Sequence, residues 1–440
     1  MLAILSGCQA TGLSKWTPAN AGAESVSEAQ SHNAIFDGTA TVGATDTEFE
    51  VGKNPYAYDD IPPGVRPAMD TREAGLWFSV DKVEEQSKTA GNRITDPELN
   101  KYISEIVCKL SGPYCSDVRV YIQRVPIFNA SMYPNGMMSI LSGFLLRTQN
   151  EAQLVAVLGH EAGHYIRRHS IQRMEDMIAK QDFSVIFSFV SAGLGVPVMS
   201  DILQVAMLSS LYAYGRDNER EADLIGINLM HKHGYDAREA AKIWELLLRE
   251  EDPDRDLNEV STSTSFSSSH PSSAERMQTL RQIALKLQGP DKWGITNKAK
   301  FDEIVGPWKF QFLEDEIRLQ NWNTSLELLN ILKESGHKKS EIAYFQGEIF
   351  RNRNKKADAD AEKEEDRIAD HEKALKAYEQ SMSYANAPPQ AYRAAGLLYL
   401  RDGRTETAKA ALMSYLKRMP AAPDRKLIEY MITNASGKIS

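Results

Sequence analysis

His160, Glu161 and His164 fall within one short stretch, His-Glu-Ala-Gly-His, and these are the residue types a hydrolytic metal centre uses. Residues four apart share a helical face, so two imidazoles at that spacing can address one point. Such a point suits Zn²⁺, which takes histidine nitrogen and tolerates an open fourth position. Glu161, one residue round, reaches a water at the ion without coordinating it, which is where a general base belongs. The opposing reading is a solvated helix face carrying three polar residues. Against it, Leu154, Val157 and Leu158 form an apolar stripe that runs directly into the trio. Two buried histidines beside a buried carboxylate are costly unless a cation joins them.

The stretch Arg216 to Gly226 offers the missing donor. Glu219 and Asp223 share a face four residues apart, and like charges at that spacing repel. A cation facing both removes the repulsion, which makes Glu219 the candidate third ligand and Asp223 the residue that orients a histidine. Spacing alone does not separate Glu219 from Glu221, and a helix dipole also favours an acidic first turn. Asp217 or Asn218 reads as the cap of that helix. The histidine helix has its own start signal, with Asn150 as cap and Gln153 three residues on. Gly159 and Gly163 each cost a helix about 1 kcal/mol against alanine. Two of them one turn apart predict a close neighbour.

His160-Glu161-Ala162-Gly163-His164, followed by Asn218-Glu219-Arg220-Glu221-Ala222-Asp223, resembles the gluzincin family that includes the CAAX prenyl protease and HtpX. The resemblance implies one Zn²⁺ per chain held by His160, His164 and Glu219, with Glu161 as general base and Asp223 in support. Asn129-Ala130 resembles the family's substrate-binding strand. His270-Pro271-Ser272-Ser273-Ala274-Glu275-Arg276 resembles its downstream element, whose His and Arg lie at the active site. His270 follows a Ser/Thr run and reads as a loop residue. The corresponding histidine of an outer-membrane member can fill the open zinc position, which implies a switch role for His270; the plainer reading is a cap for the next helix. Arg276 is implied to bind an anion or contact substrate. The implied activity is zinc-dependent endoproteolysis of unfolded or misassembled outer-membrane proteins.

The whole chain frames these residues. Its 440 residues allow two or three domains, and a net charge of -9 leaves no basic footprint for nucleic acid. Leu5-Ser6-Gly7-Cys8 resembles a lipobox, so the expectation is a periplasmic protein anchored to the outer membrane through lipidated Cys8 and touching the membrane nowhere else. Cys108 and Cys115 bracket a Gly-Pro turn and read either as a disulfide or as two buried thiols. Residues 1–68 read as lipobox and flexible tether, 69–290 as the zinc peptidase domain, and 300–440 as helical repeats. The fold class is mainly α with a small antiparallel β-sheet.

Within the peptidase segment, helices are expected over Arg72–Lys88 and Asp96–Leu110, then a strand at Val118–Ile122. A hairpin follows, Phe128–Tyr133 and Met137–Leu141 about Pro134-Asn135-Gly136. The apolar run Phe183–Met199 is broken by Gly193, Gly195 and Pro197 and reads as a buried or groove-lining helix rather than a membrane span. Near the C-terminus, Tyr392, Ala395, Gly396, Tyr399, Ala408, Leu412, Tyr415 and Pro420 fall at tetratricopeptide positions, with a degenerate copy at Gly347, Phe350, Ala374 and Tyr378. Such repeats stack and offer a surface to a partner chain, such as outer-membrane assembly machinery. The competing functional class is therefore a chaperone or adaptor in which proteolysis is occasional.

Overall fold

The computed structural model describes residues 62–179, 214–252, 274–356 and 364–434. Cys8, His270, the apolar run Phe183–Met199 and nearly all of the expected tether lie outside them. Helices dominate. The first two, α1 (Arg72–Thr89) and α2 (Pro97–Ser111), start where the sequence signals them. Thr71 Oγ1 accepts from the Ala74 amide, and Asp96 Oδ1 accepts from that of Leu99 at 2.8 Å. Cys108 and Cys115 are bonded across the end of α2, with their Cα atoms 4.4 Å apart.

Three strands follow: β1 (Arg119–Gln123), β2 (Ala130–Met132) and β3 (Met137–Leu141), in the order β1-β3-β2. β2 and β3 form the expected hairpin. Gly136 turns it at φ 86°, and a Cβ there would stand 2.2 Å from the Asp117 carbonyl oxygen, so only glycine fits. β1, however, pairs with β3 in parallel, which makes the sheet mixed rather than wholly antiparallel. The reason is topological: the connection after β1 carries β2 beyond β3, and the hairpin then returns β3 in the direction of β1. Alternation of apolar residues is the same in both arrangements.

The sheet leads through α3 (Ser142–Arg147) into α4 (Glu151–Ile166), all sixteen residues of which are buried. The start of α4 is heavily tied. Asn150 Oδ1 accepts from the Gln153 amide, while Gln153 Oε1 reaches back to the amide of Gln149. Glu151 accepts from Tyr102, Tyr235 and Asn297. Around α4 lie α5 (His169–Ala179), α6 (Arg216–Lys232), α7 (Arg238–Glu251) and α8 (Ala274–Gln288). The cap of α6 lies two to three residues before the expected one. Gly215 takes that place, and Asp217 pairs with Arg220 instead.

The remaining helices are α9 (Lys298–Ile304), α10 (Gly306–Arg318), α11 (Trp322–Glu334), α12 (Lys339–Lys356), α13 (Glu364–Met382), α14 (Pro389–Arg401), α15 (Thr405–Arg418) and α16 (Arg425–Asn434). α12 packs on α13 and α14 on α15 as pairs. One apolar core runs without a break from Trp77 to Ala411. At the seam between the sheet-bearing half and these helices, buried Arg147 meets Glu250 and Glu316, and Arg124 meets Asp315. Lys309 Nζ donates to the Thr148 carbonyl at the end of α3. No helix among the described residues is long and apolar enough to cross a membrane.

Candidate metal centre

The centre forms where α4 and α6 touch through glycine. A Cβ on Gly159 would lie 3.2 Å from Gly226 Cα, and one on Gly226 would lie 2.8 Å from the His160 amide nitrogen. Gly163 faces Ala222 and Ile225 at the next turn. The two main chains therefore approach nearly directly, which is the close neighbour that the α4 glycines predict. This approach lets short side chains from both helices meet.

His160, His164 and Glu219 each present one donor atom, and all three atoms lie within 4.8 Å of one another. The Nε2 atoms of the histidines are 3.0 Å apart, and Glu219 oxygens stand 3.5 and 3.4 Å from them. All three residues are at most 4% exposed. Geometry thus separates the two glutamates that spacing could not. Glu221 points away to His169 and Arg167, at 3.1 and 2.8 Å. Glu161 lies beside the triad, where Oε2 accepts from the Met132 amide at 3.1 Å.

Asp223 and Arg276 fix one side of the centre. Asp223 Oδ1 lies 2.9 Å from Nδ1 of His160. Arg276 grips Asp223 with two nitrogens, at 2.8 and 2.7 Å, and Glu219 with a third at 2.8 Å. Its guanidinium also lies over Trp244, 4.3 Å from the ring centroid. Arg276, expected at a substrate or anion, is thus a buried clamp on two carboxylates. Burial works against protonation of His160, but the bonds and charges of Asp223 and Glu219 outweigh it and raise the pKa to about 9. His164 goes the other way, held well below its usual value chiefly by burial. Asp223 is held below the usual carboxylate range, burial being outweighed by Arg276 and His160.

These residues fit a divalent cation. With Asp223 behind His160 and His169 behind His164, both Nε2 lone pairs are turned to one buried point that also faces a carboxylate. A cation there would take the place of the proton that Asp223 and Glu219 otherwise favour on His160. Asn129 and Ala130 lead into β2, an edge strand of the sheet, one of whose amides is the donor to Glu161. The sequence assigned no role to His169 or to Tyr214, whose ring stacks on His164 at 3.9 Å. His169 was visible as a third histidine after the motif; Tyr214 carried no signal.

A buried two-histidine, one-glutamate cluster on paired helices, with a further glutamate beside an edge strand, is the donor set that metal-dependent peptidases use. Residues 93–284 match the model of Peptidase family M48. Several characterised proteins are similar. A beta-barrel assembly-enhancing protease of Yersinia pestis is 24% identical over 270 residues, covering 53% of this chain and 55% of the relative. The mitochondrial metalloendopeptidase OMA1 of Schizosaccharomyces pombe is 27% identical over 184 residues, covering 41% and 52%. Metalloprotease YcaL of Escherichia coli is 26% identical over 253 residues, covering 56% and 92%. Of the first two relatives, the chain spans only 55% and 52% of the length.

Proposed function

We propose that this chain is a zinc-dependent endopeptidase of envelope protein quality control that cleaves unfolded or misassembled proteins. The observation that carries this reading is the convergence of His160, His164 and Glu219 beside Glu161 and the edge of β2. His160, His164 and Glu219 hold the ion. When bound, it supplies Lewis-acid activation of water and of a carbonyl oxygen. Glu161 moves the proton, taking it from the attacking water as the bond to the scissile carbonyl carbon forms and returning it to the leaving amine. Arg276 and Asp223 act one step back, holding Glu219 and His160 in place. A substrate segment lies extended along β2, near Asn129 and Ala130, and pairs through its main chain.

Relatives named for beta-barrel assembly support the envelope as the place of action, as does the lipobox-like Cys8. The C-terminal helix pairs act as tetratricopeptide-type repeats that bind a partner chain, and His270 acts as a switch at the ion's open position. Glu161→Gln tests the catalytic core of this reading. The variant should keep one zinc per chain by elemental analysis and lose casein cleavage by about 100-fold or more. Zinc-dependent cleavage at the wild-type rate would refute it.

A further inference from the structure

His169 takes no part in the chemistry above, yet it is fully buried and sits against the centre. Its Nδ1 lies 2.7 Å from Nδ1 of His164, and its Nε2 lies 3.1 Å from Oε2 of Glu221. The other Glu221 oxygen meets Arg167 Nε at 2.8 Å. The row His164, His169, Glu221, Arg167 is buried throughout. A break in the helix makes it possible. On a continuous helix, a residue five positions on lies about 140° round the axis, away from His164. Here α4 ends at Ile166, and Arg168 adopts φ 57°, a left-handed conformation that costs a non-glycine residue about 1 kcal/mol or more. Arg168 is held there by an ion pair to Glu73, and the turn brings His169 back beneath His164.

Donor and acceptor roles along the row fit in one way only. If His164 offers its Nε2 lone pair to a metal, its proton is on Nδ1 and must be donated outward. Nδ1 of His169 then accepts, so the His169 proton sits on Nε2, where the Glu221 carboxylate receives it. In the opposite tautomer of His169 two N–H groups would face each other at 2.7 Å. His164 would relieve that clash by moving its proton to Nε2, covering the lone pair the metal needs. We propose that His169 and Glu221 are positioning residues that hold His164 in its metal-binding tautomer. The proposal rests on the reading of His164 as a ligand. It assigns the two histidines unlike supports: His160 leans on a carboxylate directly, and His164 on one relayed through a second imidazole.

Nitrogen-15 NMR of histidine-labelled, zinc-loaded protein reads the tautomers without any substitution. The His169 proton is expected on Nε2; finding it on Nδ1 overturns the proposal. Zinc affinity, measured by competition with a chelating dye, supplies the second readout. His169→Leu should weaken it about 10–100-fold. His169→Asn, whose carbonyl oxygen accepts where Nδ1 did, should recover part of the loss, which a purely structural role would not predict. Glu221→Gln should weaken zinc binding and mix the His169 tautomers. Wild-type affinity in His169→Leu, with His164→Ala losing zinc, would overturn the relay and leave the metal site standing. Equal zinc binding by wild type and His164→Ala would instead remove the metal site, and the relay with it.

Discussion

The helix pair at the metal centre and the helix pairs of the C-terminal third both pack through glycine, but against different partners. Between α4 and α6, glycine meets main chain: Gly159 faces Gly226, and Gly226 faces the His160 amide. Between α12 and α13, Gly347 is a hollow filled by the ring of Tyr378, and between α14 and α15, Gly396 takes Leu412. Main chain cannot yield, whereas a side chain can turn. The first kind of contact fixes a distance, which donors arriving from two helices require. The second sets a spacing that tolerates adjustment, which suits a row of similar pairs.

Substitution of the glycines can break this comparison. Gly226→Ala should have the largest effect, because its methyl group would meet the His160 nitrogen at 2.8 Å and force the helices apart. Overpacking costs about 1–3 kcal/mol, and the upper end is expected despite about 1 kcal/mol returned by helix propensity. Zinc stoichiometry should fall with it, as Glu219 and Asp223 withdraw from His160. Denaturant unfolding and metal analysis check both. Wild-type zinc content would mean that helix spacing does not set the centre.

Gly347→Ala should come next. The new carbon would lie 2.4 Å from a Tyr378 ring whose hydroxyl is tied to Glu348 and Arg351, so the ring can turn aside only by giving up those bonds. A loss of about 1–2 kcal/mol is expected, with zinc affinity unchanged; a fall in affinity would mean that the two regions are coupled. Gly396→Ala should have the smallest effect. Its new carbon meets Cδ2 and Cγ of Leu412 at 2.7 Å, and that side chain can change rotamer, so the melting temperature should stay near that of the wild type.

Much of the centre was readable beforehand because helical periodicity is a local rule. It puts His160 and His164 on one face, and the glycine just ahead of each announces a neighbour. Asn150 and the Pro134-Asn135-Gly136 turn are local signals too, and both occur as expected. What escaped depends on how elements cross. Glu219 and Glu221 lie two residues apart near the start of α6, and only the way α6 packs on α4 decides which faces the histidines. His169 required a left-handed Arg168, and arginine carries no signal for that conformation. The parallel pairing of β1 with β3 depends on a connection that alternation does not encode. Arg276 stands in a recognisable motif, but its carboxylate partners come from a distant helix that the motif does not specify.

The seam around α10 bears on how this protein can be handled. Arg147 divides its charge between Glu250 and Glu316, and Lys309 Nζ covers the Thr148 carbonyl, two residues ahead of the Asn150 cap. A recombinant fragment cut at residue 290 would discard Glu316, Asp315 and Lys309 together and lay bare the apolar seats of Phe312 and Leu313. Any stand-alone catalytic piece should therefore extend at least through Arg318.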